Sequence, residues 1–139
     1  MDLEILEIAA NIDNHKHIDN HTHASKQKNS ICGDEMEITL KIKKNKIDDF
    51  GYICKSCIYC QASASLLSRK AKHAKLSNIN ELINLVENSF KASEEKFPKQ
   101  WAVFHKLFNK NNISRKECLM LPFKTLSNIT KKLKNNGKK

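Results

Sequence analysis

Five cysteines, Cys32, Cys54, Cys57, Cys60 and Cys118, carry the reactive chemistry of this 139-residue chain. In Cys32-Gly33-Asp34 the glycine lets the backbone turn sharply, so that a thiolate and a carboxylate can converge on one ion. Cys57 stands at the far end of a segment that reads as a hairpin, and a hairpin returns its second end to its first. Cys118 lies near the start of the last helical pattern. Three thiolates and one carboxylate form a tetrahedral set suited to zinc, or to three-and-one ligation of an iron–sulfur cluster. Spacing by itself leaves three unrelated buried cysteines as an equal alternative.

Composition narrows the setting. Hydrophobic residues make up 40% of the chain, enough for one domain with its own core. Lys plus Arg is 25 and Asp plus Glu is 15, a formal charge of +10. Arg69 and Arg115 are the two arginines, so the surplus reads as a solvated lysine surface rather than a nucleic-acid face. No apolar run approaches the roughly 18 residues of a membrane span. The acidic start Met1-Asp2-Leu3-Glu4 does not read as a signal peptide, so a cytoplasmic location is expected. An odd number of cysteines in such a chain argues for metal ligation, sulfur chemistry or packing rather than disulfides.

The elements that must position the thiols follow from periodicity. Ile5, Ile8, Ala9 and Ile12 recur at helical spacing and predict a helix over 2–12. Residues 13–31, with His15, His17, His21 and His23, read as an irregular, solvated segment that ends in a short strand before Cys32. Met36, Ile38, Leu40 and Ile42 alternate with Glu37, Thr39, Lys41 and Lys43, which predicts a strand over 35–44 with one buried and one wet face. A turn at Asn45-Lys46 and a returning strand over 47–53 follow, then a cysteine-rich loop over 54–60. Helices are expected over 61–73, over 79–92 with Asn78 or Asn80 as cap, and from Pro98 through Trp101, Phe104 and Phe108. Asn111-Asn112 ends that helix, and Ser114 would cap the last one, in which Pro122 implies a kink or a late start. Strands grouped before helices give an α+β class, a small antiparallel sheet of about three strands packed by about five helices.

Three sequence elements together resemble the IscU/SufU (NifU N-terminal-like) family of iron–sulfur cluster assembly proteins. They are Asn29-Ser30-Ile31-Cys32-Gly33-Asp34 with Ile47-Asp48-Asp49, then Cys57-Ile58-Tyr59-Cys60-Gln61-Ala62-Ser63-Ala64-Ser65-Leu66-Leu67, then Arg115-Lys116-Glu117-Cys118-Leu119-Met120-Leu121. The last element and the long stretch before it are most similar to the SufU branch. The resemblance covers about residues 5–130 and implies a single domain over 1–130, while the lysine-rich composition of 131–139 reads as a frayed tail. It implies one site formed by Cys32, Asp34, Cys57 and Cys118, holding zinc or a [2Fe–2S] cluster. It implies a cysteine desulfurase and acceptor apoproteins as partners, and a monomer or weak dimer.

In the scaffold mode the site assembles a cluster. In the sulfurtransferase mode Cys118 accepts persulfide sulfur, and Arg115 holds Asp34 or Cys118 as an anion. A basic zinc protein binding nucleic acid is the outside alternative. Departures from the family pattern include Ser30 for proline, Ser56 for glycine, Arg69 for glutamate, His73 for glycine and Glu117 for histidine. Cys54 and Cys60 fall outside the matched ligands and read as packing or spare thiols.

Overall fold

A computed structural model describes residues 3–29, 33–90 and 97–136 of the chain. The order is α1 (Leu3–Ala10), β1 (His23–Lys28), β2 (Glu35–Lys43), β3 (Lys46–Lys55), α2 (Ile58–Ala71), α3 (Leu76–Asn88), two 3₁₀ helices (Lys99–Lys106 and Lys110–Arg115) and α4 (Lys116–Asn136). The strands form one antiparallel sheet in the order β1-β2-β3. The α+β class with a three-stranded sheet is thus as expected, with consecutive 3₁₀ helices in place of the α-helix expected after Pro98.

The sheet owes its register to the alternation in β2. Met36, Ile38 and Leu40 are buried on the helix side, each worth roughly 1.5–3 kcal/mol of transfer free energy. Phe50 and Tyr52 on β3 share that burial. The turn sits one residue earlier than expected, at Lys44-Asn45, where both residues take left-handed φ values of 50° and 64°. Those signs match the twist of a tight hairpin, which is why asparagine suits the position.

The opposite face of the sheet is not simply wet. Thr39 was expected to face solvent, yet it is buried, because residues 14–22 cross this face as a strap. The Tyr52 N–H donates to the Asn14 carbonyl at 3.1 Å, and the Thr22 N–H to the Leu40 carbonyl at 2.8 Å. The Ile18 N–H donates to the Thr39 hydroxyl at 3.1 Å, with the Ile18 side chain buried. Gly51 permits the crossing: a Cβ there would lie 2.5 Å from the Lys16 carbonyl oxygen. The backbone of the histidine segment is therefore pinned, although His15 and His17 stay exposed as the solvated reading has it, and His23 opens β1.

α2 lies against α1, α4 and β3 and is buried along most of its length. The described aromatic rings of Phe90, Phe97, Trp101, Phe104, Phe108 and Phe123 pack edge-on or tilted at 5.2–6.5 Å, as core rather than as a stacking platform. Element ends differ from expectation where caps were assumed. α1 stops at Ala10, leaving Ile12 exposed. α3 starts at Leu76 with Lys75 at its cap, so neither asparagine serves. Ser114 falls within the second 3₁₀ helix, whose own start is capped by the Asn109 side chain accepting from the Asn111 N–H at 2.9 Å. Pro122 lies inside α4, and that helix runs to Asn136, into the lysine-rich stretch. No described helix is long and apolar enough to cross a membrane.

Candidate metal centre

Asp34 is placed by the connection between β1 and β2. The Asn29 N–H donates to the Asp34 carbonyl and the Gly33 N–H to the Asn29 carbonyl, both at 2.8 Å. Gly33 takes φ +76°, a left-handed conformation that glycine adopts without penalty. The turn delivers Asp34 to the end of β2 with its side chain buried.

Cys57 is placed by the β3–α2 junction. β3 extends through Cys54 to Lys55, two residues further than expected, and α2 begins at Ile58 rather than at Gln61. The cysteine-rich loop thereby shrinks to the junction itself, with Cys57 as the N-cap of α2 in extended conformation. The Gln61 side chain closes this corner by donating to the Ser56 carbonyl at 3.0 Å.

Cys118 is the third residue of α4. Its helix is fastened to α2 by the buried Ser63 hydroxyl, which donates to the Leu119 carbonyl at 2.7 Å. Two helix N-termini therefore meet at the two thiols, and the positive ends of their dipoles favour anionic groups held there.

The outcome is one cluster. One ligand atom each from Asp34, Cys57 and Cys118 lies within 4.8 Å of the other two. Asp34 and Cys118 are buried and Cys57 is half-buried. Asp34 Oδ2 is buried with no hydrogen-bond partner among the described residues, which is costly for a carboxylate unless a cation or proton takes its place. Cys32, the fourth expected ligand, lies outside the described residues.

Arg115 is near this cluster but engaged elsewhere. Its guanidinium carbon stands 5.1 Å from the ring centroid of Tyr59, two residues after Cys57. This cation–π contact ties the start of α4 to the start of α2. Among the described residues Arg115 makes no ion pair with Asp34. Nothing in the local sequence around Tyr59 signals this contact.

The two remaining cysteines separate clearly. Cys60 is fully buried on the first turn of α2, and burial pushes its thiol far above the ordinary range. Cys54 is half-buried; burial pushes its thiol up too, and the neighbouring Asp34 and Cys57 add to the rise. Neither joins the three converging ligand atoms.

Comparison with known proteins agrees with this architecture. Residues 2–100 match the family model described as the NifU-like N terminal domain. The chain is 30% identical over 119 residues to the iron–sulfur cluster assembly scaffold protein IscU of Thermotoga maritima, covering 84% of this chain and 82% of that protein. Among solved structures, a NifU-like N-terminal protein from Brucella abortus superposes with a TM-score of 0.86 at 19% identity, covering 96% of this chain and 94% of the other. A protein described as a scaffold for the SUF system of Fervidobacterium islandicum gives the same TM-score at 23% identity, with coverage of 94% and 96%.

Proposed function

The chain belongs to the family of NifU-like N-terminal domains, the IscU/SufU group, and on that premise we propose that it is an iron–sulfur cluster assembly scaffold. Its cargo is built on Cys32, Asp34, Cys57 and Cys118 and passed to apoproteins, with a cysteine desulfurase as the sulfur source. The observation that carries this reading is the convergence of Asp34, Cys57 and Cys118 to within 4.8 Å, with a buried carboxylate oxygen that has no partner among the described residues. Thiolates suit iron and sulfide, whereas the harder carboxylate is the weaker ligand in such a set. A carboxylate in that position keeps the cargo exchangeable, which a scaffold requires.

A second reading is favoured by the compactness of the same cluster. Thiolates sharing one tetrahedral zinc ion stand about 3.8 Å apart, given zinc–sulfur bonds of about 2.3 Å. The observed spacing is of that order, so the site also suits a single structural zinc. In that mode Cys118 is the sulfur acceptor. Its thiolate attacks the outer sulfur of a desulfurase persulfide, a new S–S bond forms on Cys118, and the desulfurase cysteine departs as thiolate. Arg115, at the junction leading to Cys118, would hold the Cys118 thiolate as an anion.

The deciding experiment is the visible spectrum after anaerobic incubation with a cysteine desulfurase, cysteine and ferrous iron. Sulfide-to-iron charge-transfer bands that disappear in Cys118→Ser support the scaffold. A colourless protein that retains zinc, with a mass increase of one sulfur on Cys118, supports sulfur transfer and overturns the scaffold. Arg115→Ala distinguishes further: sulfur acceptance unchanged in a folded variant removes Arg115 from the mechanism.

A further inference from the structure

The strap over the outer face of the sheet carries His17, Asp19 and His21, and the structure fixes the orientation of both imidazoles. His21 Nδ1 is 2.7 Å from the Ile18 carbonyl oxygen. A carbonyl cannot donate, so this nitrogen carries the hydrogen and Nε2 of the neutral ring presents its lone pair. His17 Nδ1 is 2.8 Å from Glu37 Oε1. A carboxylate accepts from this nitrogen, so Nδ1 carries the hydrogen and Nε2 of the neutral ring is the nitrogen left to face a metal.

An imidazole whose Nδ1–H is tied to a carboxylate or a backbone carbonyl is in the state that metal-binding histidines adopt through Nε2. The ring centroids of His17 and His21 are 5.5 Å apart at 79°. Two imidazoles on one tetrahedral ion, with metal–nitrogen bonds of about 2.0–2.1 Å, place their centroids about 5 Å apart. Asp19 can supply the third donor: its carboxylate is 3.9 Å from His17 Nε2 and fully exposed, and a rotation is needed to bring the three donors together, because among the described residues only Asp34, Cys57 and Cys118 already meet within 4.8 Å.

The support beneath them is rigid. Ile18 is buried and hydrogen-bonded to Thr39, the His21 N–H also donates to the Ile18 carbonyl, and Thr22 clips the end of the turn to Leu40.

We propose that His17, His21 and Asp19 form a second metal site, selective for a borderline divalent transition ion such as zinc, cobalt or nickel. It is separate from the thiolate cluster. Glu37, which orients His17, stands three residues along β2 from Asp34, about 10 Å of strand. Imidazole and carboxylate donors without sulfur make this the harder of the two sites. Glu37 is a positioning residue here, because it acts through His17.

Cobalt(II) titration of the full chain tests the site. Two equivalents should bind, one with intense sulfur-to-cobalt charge-transfer absorption and one without. The second should broaden the imidazole NMR signals of His17 and His21. His21→Ala should remove the second equivalent while leaving the charge-transfer band intact. Cys118→Ser should do the reverse. Glu37→Gln should weaken the second equivalent by about 10-fold or more. His15→Ala, whose ring packs on Tyr52 at 5.2 Å, should leave it unchanged. A single equivalent in the wild-type chain, or a second one that survives both His17→Ala and His21→Ala in folded protein, overturns the proposal.

Discussion

The Ser63 hydroxyl donates to the Leu119 carbonyl across 2.7 Å of protein interior, and this contact joins the two helices that bear Cys57 and Cys118. Ser63 is fully buried and six residues from Cys57 in α2; Leu119 is the neighbour of Cys118 in α4. The thiols approach each other because this pair fixes the helix start that carries one against the helix start that carries the other.

Removing that hydroxyl should therefore be felt at the site as well as in stability. Ser63→Ala should cost about 1 kcal/mol, read as a lower urea midpoint, which is the usual net worth of an internal hydrogen bond. It should also weaken cobalt or zinc binding at Asp34, Cys57 and Cys118. A loss of stability with unchanged affinity would separate the contact from the site.

Cys60 should be dispensable for metal binding. It is enclosed in the core, with its thiol kept protonated by burial. Cys60→Ser should leave zinc or iron content unchanged by elemental analysis, at a modest cost in thermal stability from placing a hydroxyl in an apolar pocket. Loss of the metal would make Cys60 a ligand.

His73 holds a φ of +73° just after α2, while its N–H donates to the Ile47 carbonyl at 2.6 Å. A side chain in the left-handed region costs about 1–2 kcal/mol, and glycine carries no such cost. His73→Gly keeps the backbone bond and relieves the strain, against the larger entropy of glycine in the unfolded chain. A net gain of up to about 1 kcal/mol is expected, seen as a rise of about 3 °C in Tm. No rise would mean that the imidazole contributes a compensating contact.

The Glu37 carboxyl is lowered from 4.5, first by its hydrogen bond with His17 and then by Lys26, against the opposing effect of burial. A carboxylate with a depressed folded-state value stabilises the fold fully above its unfolded value. That contribution should be intact above about pH 4.5 and fade as the pH falls through the lower folded value. Comparing acid unfolding of wild type and Glu37→Gln checks it. The stability difference between the two should shrink with acid, and a constant gap would remove the linkage.

Much of this architecture is legible in local pattern. The alternation from Met36 to Ile42 gives β2, and Trp101, Phe104 and Phe108 are core as their spacing implies. Cys57 and Cys118 converge with Asp34 although no periodicity requires it, because their approach depends on a tertiary contact between Ser63 and Leu119. α2 starts earlier than its sequence predicts because Cys57 caps it with no side-chain hydrogen bond, so the sequence lacks a capping signal there. The burial of Thr39 could not be read from its own strand. It depends on Ile18, far away in sequence, and on the absence of a side chain at Gly51.

Gly51 also bears on the order in which the molecule can assemble. The strap rests on β2 and β3, β1 pairs only with β2, and α1 packs on α2. The described partners of α1 and of the strap thus lie between residues 35 and 71, while β1 also packs on α4, and closing such loops is entropically costly until the hairpin exists. During synthesis this segment emerges before the strands it rests on, and would be among the last to dock, with Ile18 exposed in the interval. In pulse-labelled refolding, the Thr22 amide should gain protection after the ladder amides between β2 and β3. The reverse order would show that the strap forms its own structure first.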